Sequence, residues 1–154
     1  MNTWDQLLLT GEFAPREHVL KGLTLEQVGA RPAGAPHSIY EELWHAATWQ
    51  RIVIADDAVA HERWKAGDQF PGTPAPADET VWQDLVDSFL AESERAVRLS
   101  RDEAWLELDE TEGLTGFTWR NALEHLAVHN AYHMGKIVLL RQLLGVWSPP
   151  PDDA

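Results

Sequence analysis

The chain has 154 residues, and its 25 aspartates and glutamates against 12 lysines and arginines give a formal charge of −13 and a pI near 4.8. That charge repels phosphate backbones and anionic lipid heads, and no basic patch offsets it, so neither nucleic acid nor a membrane surface is expected as a partner. Cysteine is absent, which rules out disulfides, thiolate metal sites and a cysteine nucleophile.

In chain order, the first helix is expected after Thr3, with Trp4, Leu7 and Leu8 and then Val19 and Leu20 on its apolar side, and Pro15 kinks or splits it. A short turn follows at LTLEQV, where Thr24 and Gln27 have capping-box spacing. The second helix starts at a clear signal, Ser38 with Glu41 three residues on, and should run to about Trp64. In the third, Thr80 and Gln83 stand in the same relation before Val81, Trp82, Leu85, Val86, Phe89, Leu90 and Val97 at helical spacing. The fourth takes Thr118 as its N-cap and continues to Leu144, where Gly145 and the SPPP run stop it; that is a rod of about 39 Å. Turn-rich breaks at 29–37, 66–77 and 102–117 separate these stretches. The pattern predicts an all-α protein, a four-helix bundle formed by one domain over residues 1–154, and the eight tryptophans suit its packing surfaces. The opening residues lack a secretory pattern and no segment has the roughly 18 apolar residues of a membrane span, so a cytoplasmic protein is expected.

Three of the seven histidines fall at steps of four in EHLAVHNAYHMGK: His125, His129 and His133. Residues four apart on a helix differ by about 40° in azimuth and about 6 Å in height, so His129 and His133 can direct their rings at one point. Across His125 to His133 the offset doubles, which makes His125 a supporting or purely structural histidine. Two helical histidines bind an ion weakly, and a third ligand must come from a facing helix. His45, in YEELWHAATWQ, is the candidate, because an unpartnered ring buried among Trp44, Ala46, Ala47 and Trp49 would cost free energy. Three neutral imidazoles leave positions where a divalent ion activates water or holds a thiolate. Spacing alone leaves open a hydrogen-bonded core histidine and a surface pair. There is no HExxH, which removes a thermolysin-like protease. Glu42 and His45 form one Glu-x-x-His unit, but helix four has Leu126 before His129 and Asn130 before His133, so a di-iron site is disfavoured.

HSIYEELWHAATWQ followed by HNAYHMGKIVLLRQLLG and a Trp-Ser-Pro-Pro ending resembles the DinB/YfiT-like family over nearly the whole chain. The resemblance implies a DinB-like four-helix bundle, often a homodimer, whose metal ligands fall here on His45, His129 and His133. It implies a divalent ion such as nickel or zinc with waters in the remaining positions. Some relatives are thiol-dependent transferases or isomerases, which brings in a low-molecular-weight thiol as co-substrate. The family usually has glutamine where this chain has Lys136, and that departure sets a cation at or near the site.

Other residues are weighed beside these. Glu41, one turn before His45, either orients its ring or serves only the helix cap. Trp49 shares His45's face and is core or pocket wall; Asn130 and Tyr132 are expected in structural roles. Arg120, Lys136 and Arg141 make the fourth helix partly cationic, which suits surface pairing or an acidic thiol. The sequence thus points to a metal-dependent enzyme of thiol transfer or hydrolysis acting on a small molecule. The alternative is a non-catalytic metal-binding or dimeric interaction bundle.

Overall fold

A computed structural model describes residues 2–110 and 117–152. Its helices are α1 (Thr3–Asp5), continued by a π-helical turn (Gln6–Thr10), then α2 (Arg16–Leu20), α3 (Leu25–Gly29), α4 (Ile39–Ala55), α5 (Ala58–Lys65), α6 (Glu79–Leu99), α7 (Glu103–Leu106) and α8 (Trp119–Leu143). Among the described residues there is no strand, only one isolated bridge between Asp109 and Thr118. None of the helices is long and apolar enough to cross a membrane.

The helix starts follow from local chemistry. Ser38 Oγ accepts from the Glu41 N–H while the Glu41 carboxylate accepts from the Ser38 N–H, closing the capping box on α4. Thr24 and Gln27 do the same for α3, and Thr118 caps α8, which ends as expected before Gly145 at a φ of 73°. Two expectations change. The third helix is capped by Asp78, two residues before Thr80, because its carboxylate reaches the Val81 N–H. The second helix does not continue to Trp64: Asp56 adopts the left-handed conformation, φ 55° and ψ 47°, which aspartate tolerates better than most residues. Asp57 then caps α5 through the Ala60 N–H and pairs with Arg51. The first helix is split, as Pro15 implied, and Gly11 does part of the work. Its N–H closes the π-turn on Gln6 at 2.8 Å, its φ is +66°, and a Cβ there would sit 2.5 Å from the Ala14 carbonyl oxygen.

The N-terminal segment, α4, α6 and α8 enclose two apolar clusters. One joins Val19, Val28, Ile39, Leu43, Trp82, Phe89 and Ile137; the other joins Trp4, Leu8, Val53, Val97, Leu106, Leu123 and Leu126. Burial of this kind supplies most of the driving force for a bundle. A polar layer links α4, α6 and α8. Gln50, Ser93 and Asn130 are fully buried; Gln50 Nε2 donates to the Phe89 carbonyl, and both Ser93 Oγ and Asn130 Nδ2 donate to Gln50 Oε1, at 3.1 and 2.8 Å. Such a layer makes a one-turn slip of these helices costly, because the slip would strand buried amides. It holds α8 in the register that faces His129 and His133 toward α4.

Candidate metal centre

One nitrogen from each of His45, His129 and His133 can be chosen so that all lie within 4.8 Å of one another. His45 projects from the middle of α4; His129 and His133 project from adjacent turns of α8. The ring centroids of His129 and His133 are 4.6 Å apart, as are those of His45 and His133. His125 stays outside the group: it is exposed and packs on Phe117 at 4.8 Å.

Hydrogen bonds decide which nitrogen faces inward. His45 Nδ1 lies 2.9 Å from the Gln69 carbonyl, which can only accept, so Nδ1 carries the hydrogen and Nε2 keeps its lone pair. His133 Nδ1 donates to Glu42 Oε2 at 2.6 Å, which assigns its Nε2 lone pair in the same way. A carboxylate behind a ligating imidazole holds the tautomer and raises the basicity of the opposite nitrogen. His129 Nε2 stands 3.3 Å from His45 Nε2, while its Nδ1 is buried without a partner. With His45 Nε2 bearing its lone pair, His129 Nε2–H is the donor in that contact, and moving the hydrogen to the unpartnered Nδ1 would free a third Nε2 lone pair for a cation. The donor set therefore fits a divalent ion of the borderline kind that imidazole favours.

The electrostatics favour the neutral form of His129 and His45. Burial, with the neighbouring His133 and His45 rings adding to it, pushes the His129 pKa down to about 4. Burial also lowers that of His45, against the opposing Gln69 carbonyl. Glu42 is 2% exposed. Burial raises its pKa, but the His133 hydrogen bond and the Lys136 charge outweigh this and hold it below the usual carboxylate value. Its Oε1 is 3.6 Å from both Lys136 Nζ and His37 Nδ1. Lys136 is thus at the rim, as the departure from the family pattern implied, with its ammonium also over the Tyr132 ring at 4.6 Å.

The wall comes from segments after the α4 break. Phe70 stacks on His37 at 3.9 Å and on His45 at 4.6 Å, and Trp64 of α5 leans on His45 at 4.5 Å. Trp49 joins the wall, 5.2 Å from Trp64 and 6.2 Å from His129. The loop carrying Gln69 and Phe70 is tied down farther along, where Ser38 Oγ donates to the Pro74 carbonyl at 2.5 Å and Gly29 lets Ala75 approach.

The structure decides between the roles that the sequence left open. Glu41 does not orient His45; its carboxylate is engaged by Arg31 at 2.7 and 2.6 Å and by the Ser38 N–H. The residue on the site is Glu42, which shares a face with His45 by i, i+3 spacing and holds a ring on the other helix. Gln69 contributes a backbone carbonyl, which no side-chain pattern can reveal. Asn130 is structural, as expected, and Arg120 pairs with Glu103 and Glu107 on the surface. Arg141 is instead buried on backbone carbonyls away from the centre.

A comparison with curated proteins returns no match to the chain. The family model of the DinB superfamily matches residues 16–137, a span that runs from α2 into α8 and includes the three clustered histidines and Glu42. On that match, and with the helical bundle that carries it, the chain belongs to the DinB superfamily.

Proposed function

We propose that this chain is a metal-dependent enzyme in which His45, His129 and His133 bind one divalent ion, nickel or zinc, through Nε2, and that it transfers a small thiol to an electrophile. The observation that carries this reading is the pair of fixed tautomers: Gln69 and Glu42 turn two imidazole lone pairs toward His129 across the gap between α4 and α8. A bound ion would supply Lewis acidity, which lowers the pKa of a thiol or a water and makes it a nucleophile at neutral pH.

The chain's own groups have separate tasks. Glu42 holds His133 and keeps negative charge beneath the centre. The Lys136 ammonium, whose pKa rises because Tyr132 and Glu42 outweigh its partial burial, stands where an acidic group of a thiol would be received. Phe70, Trp64 and Trp49 keep water from one side of the rings and offer an apolar surface to an electrophile. Hydrolysis would use the same three ligands.

The test is metal content by elemental mass spectrometry on tag-free protein beside a His129→Ala variant prepared identically. About one ion per chain in the wild type, lost in the variant, is the expected result. A wild type that stays below a tenth of an ion after incubation with nickel or zinc, on the order expected of adventitious binding, would reject the reading.

A further inference from the structure

On the other side of α8 a groove of about 610 Å³ separates that helix from the N-terminal segment and the C-terminal Trp147–Pro150 stretch. Ala131 and Gly135, which floor it, are about 200° around the helix from His129 and His133 at 100° per residue, so the groove and the histidine cluster are on opposite faces. Its volume is that of a small-molecule site, and its walls are mostly apolar, with Phe13, Met134 and Trp147 among them.

One residue in that lining is anomalous. Arg16 is 6% exposed, and it has no carboxylate partner among the described residues. Among the described residues its single hydrogen bond runs from Nη2 to the Leu7 carbonyl at 3.1 Å, and its Nε is buried without an acceptor. Elsewhere Arg31, Arg51, Arg95 and Arg120 each face a carboxylate. Arg141, also buried, satisfies its guanidinium on the carbonyls of Val19, Lys21 and Val146. A guanidinium largely withdrawn from water, with one carbonyl on Nη2 and none on Nε, is costly unless something more accepts from it. Burial pushes the Arg16 pKa down, which registers the same deficit.

We propose that this groove is a second binding site, for an amphiphilic carboxylate whose headgroup accepts from Arg16 and whose apolar body lies along α8. A planar carboxylate matches the fork of the guanidinium and accepts from its terminal nitrogens, adding the partner that the single Leu7 carbonyl does not supply. Glu12 lines the same groove, and the chain as a whole carries −13, so a single negative charge is tolerated and a phosphate dianion is disfavoured. Recognition is local: the desolvated guanidinium attracts at short range while the screened outer charge repels.

The test is calorimetric titration of chelator-treated full-length protein with octanoate and, in parallel, octanol; chelation removes any carboxylate binding at a metal. The expected result is one octanoate per chain, with octanol weaker by about tenfold or more. Arg16→Gln should bring octanoate down to the octanol level. Ala131→Leu, an exposed helical position where leucine favours the helix, should weaken both probes by filling the groove, and it keeps the proposal testable should Arg16→Gln fail to fold. Equal affinity for the two probes, octanoate binding unchanged in Ala131→Leu, or no saturable binding of either would overturn it. So would sedimentation showing that a second copy of the chain covers the groove and excludes octanoate.

Discussion

Glu42 and His133 form the pair on which the centre's geometry depends. Both are buried, and their 2.6 Å contact fixes the ring that α8 presents. Glu42→Gln keeps the shape but replaces a carboxylate by an amide whose oxygen accepts more weakly. Metal affinity is expected to fall by about 10–100-fold, measured by competition with a chromophoric chelator, and an unchanged affinity would show that the carboxylate has no such role. His129 makes a prediction in pH. Its ordinary value of 6.5 falls to about 4 in the folded chain, so between these values the unfolded chain binds a proton that the folded one refuses. Stability of the metal-free protein should therefore drop as pH falls from 6.5 toward 4 and gain no further loss from this group below that. Urea midpoints for wild type and His129→Gln across this range check it: their difference should change steadily with pH, and a constant difference would refute the assignment. His129 and His133 were legible as a pair because helical spacing alone aims them together. Gln69 was not, because its contribution is a main-chain oxygen delivered by a loop.

At the scale of elements, the break at Asp56 matters most. A continuous helix to Trp64 was the natural reading of an apolar-rich run without glycine or proline, and only the αL turn at Asp56 with the Asp57 cap shows that α5 folds back. That turn is what brings Trp64 against His45. The α4 start has a double duty, since Ser38 caps the helix and holds the Pro74 carbonyl of the site-wall loop. Ser38→Ala should cost about 1–2 kcal/mol in urea unfolding and loosen metal binding by detaching the loop that positions Gln69. Loss of stability without any change in metal affinity would separate the cap from the loop. The cap itself was readable from Ser38 and Glu41 in sequence, because it is a local bond; its link to residue 74 spans 36 positions and was not.

Across the whole molecule, the two apolar clusters and the Gln50 layer are formed without the histidine centre. On the proposed reading a metal bound there would add stability by mass action, while the two apolar clusters supply the packing of the helices. Chelation should therefore lower the melting temperature modestly while helical circular dichroism and a cooperative transition persist. Collapse of the helical signal on chelation would mark the ion as structural and favour the non-catalytic alternative. The net charge sets a long-range field that disfavours anions, against which Arg16 is a buried cation and Lys136 a half-buried one.

By itself the sequence determined an all-α bundle, the helix caps at Thr24, Ser38 and Thr118, and the two histidines whose separation is one helical turn. Those features depend on contacts within a few residues, and side-chain chemistry at fixed spacing encodes them. The tertiary structure alone decided that Glu42 rather than Glu41 serves the centre. It also decided that a loop carbonyl orients His45 and that Arg16 lies buried beside an apolar groove. Each of these rests on segments distant in sequence meeting at a particular rotation of one helix against another. That rotation is set by the packing of the cores and by the buried Gln50, Ser93 and Asn130 bonds, which no single stretch of the chain contains.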